Sequence, residues 1–157
     1  MEKRINNIVI FIVCLLITFF IGFIGSIFTT QGVSSSWYES IKPSITPPNY
    51  VFMIVWNILF LLIAISLYLS WINSNPNQKV EIAIIFGVNF ILNISWSIIY
   101  FSLQNPLFAL INIFALIISI IAMIITIKRI DKKASYLLYP YLIWVCFAGI
   151  LNYLSIK

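Results

Sequence analysis

The chain has 157 residues, of which 62% are hydrophobic and only 8% are charged, and its mean hydropathy is +1.09. Soluble domains carry about 25% charged residues, so this composition excludes a soluble globular fold and indicates a protein whose solvent is lipid. The net charge is +5 and there is no histidine, which excludes the usual zinc, histidine-relay and catalytic-triad sites.

The first element is a long apolar stretch over residues 5–28. At about 20 residues it exceeds the roughly 7–15 of a signal-peptide core, and no A-x-A cleavage site follows it. We therefore predict a retained membrane span. Gly22, Gly25, Ser26 and Thr29 form one small-residue edge of this span. Such an edge predicts a close helix contact, because small residues let helices approach each other in lipid.

Four further apolar stretches follow, each close to the roughly 20 residues that a bilayer crossing needs. They occupy residues 51–72, 82–103, 107–127 and 136–156. Backbone polar groups in lipid must be satisfied internally, so all five stretches are predicted helices. The last three connections are short, which favours antiparallel neighbours. The predicted fold is a single all-α integral membrane domain over 1–157, a five-transmembrane-helix up-down bundle with a long loop over 29–50.

Basic residues concentrate at one end of this predicted bundle, with seven at that end and two at the other. The first group is Lys3, Arg4, Lys79, Lys128, Arg129, Lys132 and Lys133, and the second is Lys42 and Lys157. By the positive-inside rule we expect the N-terminus in the cytoplasm and the C-terminus outside, in a bacterial inner membrane. The long loop then lies on the outer side, and long loops in compact folds are often functional.

The third span carries a polar and aromatic face. Asn89, Asn93, Trp96, Ser97 and Tyr100 fall on one side of a helix. Asparagines in mid-membrane need hydrogen-bond partners, so this face should point into the bundle. Two interpretations stay open, one in which the face joins helices together and one in which it contacts a ligand.

The fifth span places Pro140, Trp144, Ala148 and Leu151 on one face. A mid-span proline can kink a helix and open a cavity, although variation in packing explains it as well. No ionisable residue lies well inside any span, which argues against a proton-coupled pump or a small drug exporter. What remains is a neutral, aromatic-rich interior suited to a flat apolar molecule.

Five motifs in this order resemble the TspO/MBR family, the tryptophan-rich sensory proteins and mitochondrial translocator proteins (peripheral benzodiazepine receptors). They are WY (37–38), KPSITPP (42–48), VFMIVW (51–56), NFILNISWS (89–97) and PYLIWVCFAGILN (140–152). The resemblance implies a five-helix bundle, often dimeric, with a pocket open toward the long first loop. In the family that pocket binds porphyrins such as protoporphyrin IX, and in mitochondrial members cholesterol and benzodiazepine-type drugs.

The resemblance also implies roles for individual residues. Trp56 and Trp144 match two pocket tryptophans that the family uses in light-dependent porphyrin breakdown. Ile45 stands where the family often has tryptophan, which removes one aromatic wall. The predicted ligand-binding set is Tyr38, Pro47, Phe52, Trp56, Phe60, Asn93, Trp96, Ser97, Trp144, Ala148 and Leu151. A sterol-motif pattern is formed by Leu151, Tyr153 and Lys157, of which the last two are interpreted first as membrane-interface anchors.

Three functions are compatible with these residues. The first is a receptor or regulator that binds a protoporphyrin IX-like porphyrin in tetrapyrrole sensing, transport or homeostasis. The second is a light- and oxygen-dependent porphyrin-degrading enzyme, and the third is a transporter of tetrapyrrole, lipid or sterol. Without histidine, metal-free porphyrin is expected rather than haem, with Lys42 or loop amides meeting its propionates. Expected partners are the porphyrin, membrane lipid and a second copy of the chain, with no required cofactor, no metal and no nucleic acid.

Overall fold

The computed structural model describes residues 2–156, with side chains from residue 5 onward. Within this range the chain forms seven α-helices and one π-helical segment, and no strand. The helices are α1 Glu2–Gly32, α2 Ser36–Ile41, α3 Asn49–Ile72, α4 Pro76–Ser97, α5 Pro106–Lys128, α6 Lys132–Tyr136 and α7 Tyr139–Leu154, and the π-helical segment is Ile98–Ser102.

Five helical units are long and apolar enough to cross a membrane, judged by length and composition. They are Ile5–Gly32, Asn49–Ile72, Pro76–Ser102, Pro106–Lys128 and Lys132–Leu154. The prediction of an all-α membrane protein with five spans is therefore confirmed. Residues 29–32 are helical rather than part of the long loop as predicted, because α1 continues without a break to Gly32.

Two other spans differ from their predicted bounds. The third begins at Pro76 rather than at residue 82, because Asn75 and Gln78 form a capping box that starts α4. The fifth consists of two helices, and Pro140 lies in the first turn of α7. Of the two alternatives left open for Pro140, a kink or a variation in packing, the structure shows an interruption of the helix at residues 137–138, directly before Pro140. A proline in the first turn gives up no intrahelical hydrogen bond, so it begins the helix without bending it.

Contacts between distant residues define two ends of the bundle. At one end, Asn73 Nδ2 donates to Asp131 Oδ2 at 2.7 Å, joining the α3–α4 turn to the α5–α6 turn. At the other, Asn152 Nδ2 donates to the Pro106 carbonyl at 2.8 Å. We call these the basic end and the loop end, since the second also carries the α1–α3 loop. Among the nine basic residues assigned to the two ends of the bundle, Lys157 and the side chains of Lys3 and Arg4 lie outside the part of the chain that the structure describes.

Glycines in α1 allow close packing. A Cβ atom at Gly22 would lie 2.5 Å from Phe60 Cε2, and one at Gly32 would overlap the Phe101 ring. Thr29 Oγ1 donates to Ser97 Oγ at 3.4 Å. The predicted small-residue edge is therefore confirmed where it faces α3 and α4. Of its other two members, Gly25 also faces Ser97, since a Cβ atom there would lie 3.5 Å from Ser97 Oγ, whereas Ser26 is exposed and its hydroxyl donates to the Phe23 carbonyl of its own helix.

Candidate functional site

The polar face of α4 is buried and hydrogen-bonded to neighbouring helices. Asn89 Nδ2 donates to Ser119 Oγ at 2.8 Å, while Asn89 Oδ1 accepts from the Tyr141 hydroxyl at 3.2 Å. Asn93 Nδ2 donates to the same hydroxyl at 3.1 Å. Tyr141 is fully buried, so one hydroxyl group links α7 to two turns of α4. These bonds support the interpretation in which the asparagines join helices together.

Farther toward the loop end, the same face bonds to the last turns of α7. Trp96 Nε1 donates to Asn152 Oδ1 at 3.1 Å, and the Trp96 ring stacks on Tyr100 with centroids 5.2 Å apart. The Tyr100 hydroxyl donates to Ser155 Oγ at 3.0 Å. Neither Tyr141 nor Asn152 is in the predicted ligand set. An asparagine in an apolar helix is a visible signal, whereas nothing in the sequence marks Tyr141 as a central partner.

An aromatic cluster fills the space between α3 and α7. Trp56 stacks on Phe60 with ring centroids 5.4 Å apart and an interplanar angle of 29°, and meets Tyr141 edge-on at 6.2 Å. Phe52 packs edge-on against Trp144 at 5.5 Å. We call these five residues the α3–α7 aromatic cluster. The structure thus brings together the four α3 and α7 aromatics of the predicted set and adds a fifth.

A groove open to the outer surface of the bundle runs beside this cluster and has a volume of about 540 Å³. Its lining residues are Val55, Ile58, Leu59, Pro140, Ile143, Trp144 and Phe147. Trp144 is therefore the one predicted ligand residue in its wall. The Trp144 indole N–H is buried and has no hydrogen-bond partner among the described residues. Buried indole N–H groups usually have a partner, so this one is free to donate to a ligand.

The long loop is anchored through a short helix. Ser35 Oγ accepts from the Tyr38 backbone N–H at 3.2 Å and begins α2. The Tyr38 side chain is only 7% exposed and packs against Phe101, with centroids 5.7 Å apart. Burial, with smaller contributions from Tyr100 and Glu39, raises the pKa of Tyr38 to about 12. The phenol is thus neutral where the loop is docked, and Tyr38 anchors the loop.

The docking surface for this anchor is the π-helical segment Ile98–Ser102. The Leu103 N–H donates to the Ile98 carbonyl at 3.0 Å, the wider turn of a π-helix. Tyr100 and Phe101 are neighbours in sequence, and both are buried against the loop. Single π-helical turns occur frequently at functional sites. Trp96 packs against the cluster formed by Tyr38, Tyr100 and Phe101. It also packs against the main core that includes Phe60, so it connects the loop to the bundle interior.

The remaining predicted residues lie in different surroundings. Pro47 is half-buried in the loop, whereas Ile45 is 55% exposed. Ala148 packs partly buried against the main core, and Leu151 and Ser97 are buried. Tyr153 is 65% exposed, as an interface anchor would be, and Lys157 lies outside the described residues. Lys42 Nζ pairs with Glu39 Oε2 at 2.7 Å at the surface of the loop.

Comparison with known proteins settles the family. The sequence matches the model of the TspO/MBR family over residues 13–156. This chain belongs to the TspO/MBR family. It is 43% identical over 148 residues to the tryptophan-rich protein TspO of Archaeoglobus fulgidus, covering 94% of this chain and 95% of that protein. The family assignment confirms the resemblance seen in the motifs and, with the five apolar helices, identifies an integral membrane protein.

Two further members of the family show how widely the similarity extends. The tryptophan-rich protein TspO of Chlorobaculum tepidum is 36% identical over 159 residues, covering 98% of this chain and 96% of that protein. The translocator protein of Bos taurus is 28% identical over 135 residues, with 84% and 79% covered. Both alignments extend over most of the two chains compared, so the similarity is not confined to one motif.

Proposed function

We propose that this protein is a membrane receptor or regulator that binds a protoporphyrin IX-like porphyrin at the α3–α7 aromatic cluster, acting in tetrapyrrole sensing, transport or homeostasis. The observation that carries the proposal is the cluster itself, five aromatic side chains between two spans beside a groove open to the membrane. A porphyrin is a large flat π-system, and aromatic rings favour offset-stacked or edge-on contact with such surfaces. Membership of the TspO/MBR family supports the same ligand class.

Binding requires the cluster to open. The edge-on pair of Phe52 and Trp144 adjoins the groove, so separating these two rings exposes the Trp56–Phe60 stack to a ligand arriving from the membrane. The macrocycle then forms aromatic contacts with these rings in place of the contact that Phe52 and Trp144 make with each other. The unpartnered Trp144 N–H supplies a donor for an acceptor atom of the ligand. Without histidine, the protein lacks the commonest axial ligand of haem iron, which favours a metal-free porphyrin as the ligand.

The polar edge of the porphyrin is placed at the loop end. Its propionates face Lys42 and the amides of the loop, near the membrane surface. Lys42 is paired with Glu39, and both side chains are exposed. Exposed ion pairs contribute only about 0–1 kcal/mol, so exchanging Glu39 for a propionate costs little.

Titration with protoporphyrin IX in the dark, followed through its Soret absorbance, tests the proposal. Aromatic contacts contribute about 0.5–1.5 kcal/mol each beyond area burial, so the double variant Trp56→Ala/Trp144→Ala should bind about tenfold or more weakly. Trp71→Ala is the matched control, because Trp71 lies at the basic end beside Lys79. Unchanged affinity in a double variant that keeps the elution volume of the parent protein would disprove the assigned site.

Illumination of the same complex separates a receptor from a degrading enzyme. A receptor does not accelerate photodegradation of its ligand. The Soret band of the complex should therefore fade no faster than that of free porphyrin in the same lipid. Loss that is faster than free porphyrin, and that disappears in Trp56→Ala/Trp144→Ala, would instead favour light- and oxygen-dependent degradation. A liposome flux assay tests the transporter alternative, which predicts faster movement of porphyrin across protein-containing liposomes than across protein-free liposomes.

We further propose that the basic end faces the cytoplasm, which places the N-terminus inside, the C-terminus outside and the loop on the outer face. The support is the distribution of Lys and Arg over the two ends. The family resemblance leads us to propose a homodimer, with a crosslinked species of twice the monomer mass in native membranes as the expected result. A monomer alone after efficient crosslinking would contradict the dimer.

A further inference from the structure

We propose that the turn between α5 and α6 is a binding surface for the headgroup phosphates of anionic phospholipids. The surface consists of the four exposed basic side chains Lys128, Arg129, Lys132 and Lys133, and we call it the basic turn. All four fall within six consecutive residues, at the point where one membrane span ends and the next begins. The proposal concerns the basic end of the bundle, and its four residues are different from those of the proposed porphyrin site.

The single acidic residue inside this turn does not neutralise it. Asp131 Oδ1 accepts from the Ala134 backbone N–H at 2.9 Å and caps α6, while Asp131 Oδ2 accepts from Asn73 Nδ2 at 2.7 Å. Both carboxylate oxygens are therefore occupied by neutral donors that hold the turn in place. In the part of the chain that the structure describes, the one ion pair is Lys42–Glu39 at the other end. Glu81, on α4, is exposed and forms no ion pair with any described residue.

The backbone of the turn is also anchored by buried residues of α6 and by the residue that follows it closely in the chain. Ala134, Ser135 and Leu138 are all fully buried, and Ser135 Oγ donates to the Ile124 carbonyl at 3.0 Å. Orientation of a membrane protein during insertion depends on the number of basic residues and does not require them to be held in a fixed arrangement. A fixed arrangement does favour ligand binding, because less conformational entropy is lost when the ligand binds. The backbone that carries the four exposed basic side chains is therefore held by buried contacts.

Phospholipid headgroups are the occupant that position and charge both favour. The basic turn extends from the last residue of the span Pro106–Lys128 to the first two residues of the span Lys132–Leu154, where lipid headgroups are expected. Beside it, Lys79 Nζ lies 5.7 Å from the Trp71 ring centroid, an aromatic and basic pair typical of the membrane interface. Arg129 can bind a phosphate through two parallel N–H groups, and the lysines add point charges around it. Anionic lipid attracts such clusters, whereas zwitterionic lipid carries no net charge.

Lipid retention in detergent tests this directly and does not depend on which way the protein inserts. Delipidated full-length protein is incubated with equal amounts of phosphatidylglycerol and phosphatidylcholine of the same acyl chains, and bound lipid is counted by native mass spectrometry. Four basic residues predict a preference for phosphatidylglycerol of about tenfold or more, decreasing with added salt. The quadruple variant Lys128→Gln/Arg129→Gln/Lys132→Gln/Lys133→Gln should bind both lipids about equally, and Lys42→Gln should keep the parent preference.

Single variants keep the test informative if the quadruple variant misfolds. Lys132→Gln and Lys133→Gln should each lose part of the preference, and Arg129→Lys should lose less than Arg129→Gln. Inorganic phosphate at matched ionic strength should displace no more lipid than chloride does. Equal retention of the two lipids by the parent protein, or an undiminished preference in all Gln variants, would overturn the proposal. Complete displacement by inorganic phosphate would show a site for the free ion and would overturn the lipid assignment.

Discussion

At the scale of single residues, a few polar atoms decide which helices are neighbours. The Tyr141 hydroxyl accepts from Asn93 and donates to Asn89, so one oxygen connects α7 to α4. In lipid there is no hydrophobic force to hold apolar helices together, and interhelical hydrogen bonds select the partners. The buried Trp144 N–H has no partner among the described residues, and the Trp144 side chain contributes to the wall of the groove.

Tyr141→Phe tests that connection, since it removes the hydroxyl and keeps the ring. Leaving Asn89 Oδ1 without its donor should destabilise the fold by about 1–3 kcal/mol, the penalty for an unsatisfied buried polar group. Reversible unfolding in mixed micelles measures the free energy. Tyr153→Phe is the control, because Tyr153 is exposed and should change little. Equal stability of the Tyr141→Phe variant and the parent protein would contradict this role.

At the scale of elements, the α1–α3 loop behaves as a packed unit rather than a free linker. Tyr38 and Trp37 contact the π-helical segment, with Tyr38–Phe101 and Trp37–Tyr100 centroids both 5.7 Å apart. The end of α1 approaches the same segment, since a Cβ atom at Gly32 would overlap the Phe101 ring. Packing of the loop therefore depends on a position that has no side chain.

Gly32→Ala should loosen the docked loop. The added methyl group displaces the Phe101 ring, which removes the surface on which Tyr38 rests. We expect amide hydrogen exchange in residues 33–48 to accelerate by about tenfold, equivalent to about 1.4 kcal/mol of local stability. The matched control is Gly87→Ala in α4, where a Cβ atom would meet nothing within 4 Å. If both variants exchange at the parent rate, the loop does not depend on this contact.

At the scale of the whole molecule, the two ends differ in charge and in structure. The basic end has two tight turns joined by Asn73 and Asp131, and the loop end has aromatic packing and one surface ion pair among its described residues. The proposed porphyrin site lies between α3 and α7, the proposed lipid site lies at the turn between α5 and α6, and the two share no residue. Each can be altered without direct contact with the other.

Cysteine labelling in intact cells checks the proposed orientation. In a background with Cys14→Ser and Cys146→Ser, the variant Ser44→Cys places an exposed thiol in the loop and Asn77→Cys places one at the basic end. A membrane-impermeant maleimide should label Ser44→Cys in intact cells and Asn77→Cys only after lysis. The reverse pattern would invert the proposed topology.

The sequence by itself determined the spans, the two ends and the buried face of α4. Each of these depends on a local property, namely the length of an apolar run, the position of charges or a helical period, and none requires a partner to be known. The helical period of the fifth span had already placed Trp144 on a face with Pro140 and Ala148, whereas the aromatic residues of α3 entered through the family resemblance. Within the predicted ligand set, Trp144 alone proved to line the groove.

The tertiary structure decided which residues meet. Helical periodicity shows that Asn93 faces inward, but only packing shows that its partner is Tyr141, 48 residues later. The π-helical turn at Ile98–Ser102 likewise had no local sequence signal, whereas the division of the fifth span falls directly before Pro140, which the sequence did mark. Contacts between residues far apart in the chain depend on how all five helices pack together. A pattern along one helix gives no information about that packing.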